Sequence, residues 1–204
     1  MEPARDEFWP PIEKGRAVPG ADRFGFWLMV LSLGIPFAVV IGVFIHMRLR
    51  SPEWINDVGG GVPPILWAST ACLLVVSFFA HRAVTAMRID EVARVRRALW
   101  LTSLFAAVFG LCQVVAWEEM RSAYSSVSED LRRYKASFYL LTGFHALHVL
   151  GGWALQAWVV SRFLRGRYWS LHHPGLRYAA WYWHFLDVTW IAIFVALHWG
   201  DGGA

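Results

Sequence analysis

The sequence predicts an all-α integral membrane protein, a bundle of five transmembrane helices. Two observations carry this prediction. Of the 204 residues, 57% are hydrophobic, which is high for a water-soluble domain. In addition, five apolar runs each approach the ~20 residues that a helix needs to cross the hydrocarbon core of a bilayer. Residues 1–23 are rich in charge and proline and lack the apolar core of a signal peptide, so we expect a soluble N-terminal tail there.

The transmembrane domain is expected to occupy residues 24–204. Lipid offers no hydrogen-bond partners to the backbone, so each apolar run is predicted to be a helix. Pro36 interrupts the first run and predicts a kink, and Pro63-Pro64 is a favourable start for the second helix. The five predicted helices cover residues 24–47, 63–79, 98–117, 136–163 and 178–199.

The basic residues predict how the bundle is oriented. The tail and the loops after the second and fourth helices hold 13 of the 19 lysines and arginines, and the other side holds 6. Basic residues accumulate on the cytoplasmic side, so we expect a cytoplasmic N-terminus and an external C-terminus. Because these arginines lie in loops between apolar runs, they indicate membrane topology and not a nucleic-acid-binding surface.

Ionisable side chains occur inside two of the apolar runs. In the fourth, His145 and His148 share a helix face with Thr142, and in the fifth, His184 and Asp187 share a face. Imidazole and carboxylate groups could form a metal site. The alternative is that they make hydrogen bonds between the last two helices, which satisfies polar groups inside the membrane. We favour these structural contacts. No nucleophile or open ligand set accompanies them, so we predict no catalytic residue.

Two motifs in these runs resemble a known family. They are Thr142-Gly-Phe-His-Ala-Leu-His-Val149 and Trp181-Tyr-Trp-His-Phe-Leu-Asp-Val188. Their order and spacing resemble subunit III of the haem-copper respiratory oxidases, in a short bacterial form with five helices. The likeness extends to the paired histidines His172-His173 in the intervening loop.

The resemblance implies a function for the chain. It would be a non-catalytic, multi-pass subunit in a bacterial inner membrane. The complex would pass electrons from cytochrome c or quinol to O2 and pump protons. This chain would dock on subunit I, with subunit II in the same complex, and would support proton uptake. It would bind phospholipid and no metal or other cofactor of its own, whereas haem and copper would be held by the partner subunits.

The chain also departs from the family pattern. Carboxylates that the family carries are replaced by Leu33, Ala116 and Arg177, so no role of those carboxylates can be transferred. Two alternatives therefore stay open. One is a subunit-III-like accessory protein of nitric oxide reductase, and the other is a free-standing membrane metalloprotein that uses the His/Asp set.

The loop between the last two helices is strongly basic. Its arginines and histidines are either plain topology signals or a pocket for the head groups of anionic lipids. By resemblance, we expect Arg162, His172 and His173 to contact phospholipid, together with Arg177.

Overall fold

The computed structural model describes residues 20–50, 62–123 and 129–198, without the side chains of residues 123 and 129–133. Within these residues the chain forms five long helices, each long and apolar enough to cross a membrane. They are α1 (Ala21–Arg50), α2 (Ile65–Arg88), α3 (Val92–Ala123), α4 (Glu129–Leu164) and α5 (Pro174–His198). The predicted fold class is confirmed.

The helices are longer than the apolar runs that predicted them. The helix α1 begins at Ala21, inside the predicted tail, whereas residues 1–19 lie outside the described part of the chain. The loop expected at residues 80–97 shrinks to a tight turn, Ile89–Glu91, between α2 and α3. Hydropathy marks the stretch that lipid surrounds, and arginine and alanine continue the helix beyond it because both favour helical backbone.

Prolines lie at two informative positions in these helices. Pro36 is inside α1, and the helix continues through it. The helix α2 starts directly after Pro63-Pro64, as expected, since a proline at a helix start removes an N–H that would have no helical partner.

The helix α5 forms the centre of the bundle. It packs against α1, α2 and α4, while α2 and α3 form the most extensive helix pair. Its Trp183 and Trp190 are among the largest fully buried side chains. By contrast, α1 is mostly exposed, and only Phe37, Phe44 and Arg48 are buried along it. The polar side chains of α4 and α5 are therefore brought to the centre, next to α2 and α3.

Candidate functional site

The two histidines of α4 have different surroundings. His145 is 1% exposed, and its ring lies among Phe37, Phe109 and Trp190, with ring centroids 5.1–6.1 Å away. Neither of its ring nitrogens has a hydrogen-bond partner in the described part of the chain. His148 is half-buried, and its Nδ1 lies 2.8 Å from the carbonyl oxygen of Phe144 in the same helix. The ring of His145 is thus held by aromatic contacts.

The polar residues of α5 face α2. His184 Nδ1 is hydrogen-bonded to the hydroxyl of Ser77 in α2. Asp187 lies beside the same hydroxyl, and its Oδ1 has no hydrogen-bond partner among the described residues. A hydroxyl can both donate and accept, so the direction of the Ser77–His184 bond is set by which ring nitrogen of His184 carries the proton. His81 extends this group towards the surface of α2, with its ring centroid 5.9 Å from that of His184.

Thr142 connects α4 to α3. The indole Nε1 of Trp117 donates to Thr142 Oγ1 over 3.0 Å, and Thr142 donates to the carbonyl of Phe138 over 2.7 Å. On the next turn, the hydroxyl of Tyr139 donates to the carbonyl of Trp117 over 2.8 Å. The end of α3 is therefore fastened to α4 by a pair of hydrogen bonds.

These contacts correct the predicted pairing of the last two helices. Within the described residues, the side chain of Thr142 bonds to α3 and that of His184 bonds to α2. The side chains of His145 and His148 make no hydrogen bond to α5. Two other side chains join α4 and α5: Tyr182 donates to the carbonyl of His148 over 3.1 Å, and Trp183 donates to Gln156 over 3.3 Å. Spacing shows which residues share a helix face, but it does not show which neighbour that face meets.

Several polar residues of the core were missed from the sequence. Gln156 Nε2 donates to the carbonyl of Leu99 over 3.3 Å, besides accepting from Trp183. Gln113 donates to Ser69 over 3.1 Å, and Trp190 donates to Thr70 over 2.9 Å. Each of these residues places a polar atom in an apolar run. This could have identified them from the sequence, because polar groups inside a membrane need a hydrogen-bond partner.

The histidines and the aspartate considered as alternative metal ligands lie in different surroundings: His145 is among aromatic rings, and His184 faces α2. Among the described residues, no group of three or more His, Cys, Asp or Glu side chains could hold a metal ion. Two of the positions where the family carries carboxylates are apolar and packed. Ala116 is fully buried, and Leu33 packs against the core.

The four lipid candidates lie at the basic end of the bundle. The guanidinium of Arg162 stacks 4.7 Å above the ring of Trp158. That of Arg177 lies 5.4 Å from the rings of both Tyr178 and Trp181 and 3.8 Å from the carboxylate of Asp22. Such cation–π contacts orient a guanidinium without neutralising it.

The loop between α4 and α5 holds the two histidines. His172 pairs with Trp169 across the loop, and His173 Nδ1 lies 3.2 Å from the carbonyl oxygen of Trp169. Below them, Tyr168 is buried against Gly175, and this burial raises the pKa of its phenol, partly offset by the charge of Arg162. The histidines are thus presented on a loop with a packed base.

Comparison with known proteins identifies the family. The family model described as cytochrome c oxidase subunit III matches residues 14–201. The chain belongs to the cytochrome c oxidase subunit III family. Cytochrome c oxidase subunit 3 of Chondrus crispus is 33% identical over 193 residues, which cover 88% of this chain and 67% of the relative. Those of Dugong dugon and Petromyzon marinus are 30% and 31% identical, over 93% of this chain and 71% of each relative.

Membership of the subunit III family fixes the general role of the chain. It is a multi-pass membrane protein of the respiratory chain, of the type that forms part of a cytochrome oxidase complex. The motifs around His145 and His184 lie within the matched residues. In this chain, the motif around His184 joins α5 to α2, and the motif around His145 places that histidine among aromatic rings.

Proposed function

We propose that the chain is the non-catalytic subunit III of a proton-pumping haem-copper terminal oxidase in a bacterial inner membrane. It docks on subunit I, with subunit II in the same complex, and electrons from cytochrome c or quinol reach O2 through haem and copper in those partners. The observation that carries the proposal is the family match, which spans almost all of the chain. In this role the chain's polar residues hold the bundle in shape.

Within the complex, the chain holds phospholipid at its basic end. Support comes from Arg162 and Arg177, whose guanidinium groups lie over aromatic rings, as is typical of the membrane interface. Arginine binds phosphate through two parallel hydrogen bonds, and each basic residue near an anionic surface contributes about 1 kcal/mol. The histidines His172 and His173 supply further donors on the neighbouring loop.

Co-purification in mild detergent tests the main proposal. A tagged chain should recover a subunit I whose optical spectrum shows haem, together with subunit II, and no stoichiometric metal should remain on the chain once it is separated. Recovery with a nitric oxide reductase catalytic subunit, and without an oxidase subunit I, would overturn the proposal. A stoichiometric metal that is lost in His148→Ala would instead support the metalloprotein alternative.

The proton-uptake role is tested on the assembled oxidase. We expect an oxidase prepared without this chain to take up protons more slowly during turnover and to lose activity sooner, while the haem spectrum is retained. Equal rates and lifetimes with and without the chain would contradict this role.

A lipid measurement tests the role of the basic loop. In Arg162→Gln and Arg177→Gln, we expect about fivefold weaker retention of anionic phospholipid by the purified complex, from the loss of about 1 kcal/mol. The matched control is Arg165→Gln, an exposed arginine in the loop that joins the helices of Arg162 and Arg177. Equal lipid retention in all three variants would show that these arginines do not bind lipid and serve only as a membrane-topology signal.

A further inference from the structure

A second basic site lies between α2 and α3. It is lined by other residues than the loop after α4, which adjoins it through a 2.8 Å hydrogen bond from Ser170 N–H to Asp90 Oδ1. A cleft of about 460 Å³ opens where the C-terminal turns of α2 meet the N-terminal turns of α3. Three arginines line it: Arg82 from α2, and Arg94 and Arg97 from α3. The turn Ile89–Glu91 closes one end of the cleft.

The charges of the cleft do not balance. Arg94 pairs with Glu91, with 2.6 Å between Nη1 and Oε2. Arg82 lies 6.0 Å from the ring of Phe78, and neither it nor Arg97 has a carboxylate partner among the described residues. Glu91 is the carboxylate that lines the cleft, and it pairs with Arg94, so the exposed guanidinium groups of Arg82 and Arg97 face this space without a counter-charge of their own. Their fork geometry suits a phosphate, which accepts two hydrogen bonds from each.

The apolar residues of the cleft lie deeper than the arginines. Phe79 is almost one turn closer to the middle of α2 than Arg82, and Leu101 is about one turn closer to the middle of α3 than Arg97. Both side chains are half-buried, and both line the cleft. A ligand that fits this order carries its negative charge at the membrane surface and an apolar chain towards the membrane interior.

The size of the cleft agrees with such an amphiphile. A water molecule occupies about 30 Å³ in the liquid, so a free inorganic phosphate would leave most of the cleft empty. We infer that this cleft binds an anionic phospholipid, with its phosphate between Arg82 and Arg97 and an acyl chain against Phe79 and Leu101. The inference rests neither on the enzyme that the chain assembles with nor on the loop after α4.

Lipid binding to the complex in which the chain is purified tests the inference. Native mass spectrometry after delipidation measures the affinity for phosphatidylglycerol and for phosphatidylcholine. We expect the wild type to bind phosphatidylglycerol more tightly than phosphatidylcholine. Arg82→Gln and Arg97→Gln should each lower the affinity for phosphatidylglycerol about fivefold. The affinities of Arg82→Lys and Arg97→Lys should lie between those of the wild type and the glutamine variants, because lysine keeps the positive charge but loses the paired donors of the guanidinium.

The control is Arg88→Gln, an exposed arginine at the end of α2 that does not line the cleft. An equal loss in this control would overturn the inference, since the effect would then be general surface charge. Displacement of the lipid by millimolar inorganic phosphate or glycerol phosphate would also overturn it, by showing that the acyl chain adds nothing. A cross-link from Leu101→Cys to a partner protein would show that protein, not lipid, fills the cleft.

Discussion

At the scale of single residues, one hydroxyl links two helices. Ser77 of α2 is hydrogen-bonded to Nδ1 of His184 in α5, with Asp187 beside it. In a membrane, hydrogen bonds between helices stabilise by about 0.6 kcal/mol on average and by up to about 2 kcal/mol. Ser77 itself is buried, so its hydroxyl makes this link between α2 and α5 inside the bundle.

Ser77→Ala should therefore destabilise the chain by about 0.6–2 kcal/mol, because the imidazole of His184 loses its partner in α2. Thermal unfolding in detergent, followed by circular dichroism, measures the effect. The control is Ser122→Ala. Ser122 is exposed and donates to the carbonyl of Glu119 in its own helix, so this variant should lose less than about 0.5 kcal/mol of stability. Equal stability of the two variants would argue against the link between α2 and α5.

At the scale of helices, α1 is attached to α5 at their ends. The buried guanidinium of Arg48 donates from Nη1 to the carbonyls of Ala196 and Leu197, at 3.2 and 2.9 Å. These carbonyls belong to the last turn of α5, where helical hydrogen bonding leaves carbonyls without partners and where the helix dipole attracts a cation. A residue of the first helix thus caps the last one.

Arg48→Met should separate these helix ends. Hydrogen bonds to charged groups are worth about 1.5–3 kcal/mol, so we expect about 2 kcal/mol of lost stability. Arg50→Met changes the same charge two residues later, on an exposed side chain, and should have little effect. Urea unfolding of both variants in detergent compares them, and a matching loss in Arg50→Met would contradict the capping role.

A second contact between helices depends on a glycine. A Cβ at Gly110 in α3 would lie 2.7 Å from the ring of Trp153 in α4, whereas one at Gly143 would meet nothing within 4 Å. Gly110→Ala should cost about 1–3 kcal/mol through overpacking. Gly143→Ala should be neutral or stabilising by up to about 1 kcal/mol, because alanine favours helix.

The double variant Gly110→Ala with Trp153→Leu should recover part of the loss, since the shorter side chain makes room for the methyl group. The free energies of unfolding of the two single variants and the double variant form the test. Strictly additive effects would show that the glycine and the tryptophan are not coupled.

At the scale of the whole molecule, the distribution of basic residues predicts a cytoplasmic N-terminus. The ends of α3 then lie on opposite sides of the membrane, with Arg88 near its start and Ser122 in its last turn. In a background with Cys72 and Cys112 changed to alanine, an impermeant maleimide should label Ser122→Cys in intact cells. Arg88→Cys should be labelled only in inverted vesicles. The reverse pattern would invert the predicted topology.

The sequence predicted the number and order of the helices because hydrophobic length is a local property. It underestimated their length because charged residues such as Arg94 and Arg97 continue a helix outside the hydrocarbon. It also placed His184 and Asp187 on one helix face, but it predicted that this face meets α4, whereas His184 bonds to α2. The partner depends on how five helices are arranged, and periodicity along one helix contains no information on that arrangement. Arg48 was missed for the same reason, since its acceptors are backbone carbonyls.

The cap that Arg48 places on α5 has a consequence for biosynthesis. Its acceptors lie 148 and 149 residues further along the chain, and ribosomes add about 5–20 residues per second. The first helix therefore waits about 7–30 s in the membrane before its permanent partner has been made. Throughout that interval, the few residues of α1 that the finished bundle buries, Phe37, Phe44 and Arg48, are still uncovered, which distinguishes the chain from a completed one. That gives chaperones and membrane proteases a defined window in which to distinguish a nascent chain from a completed one.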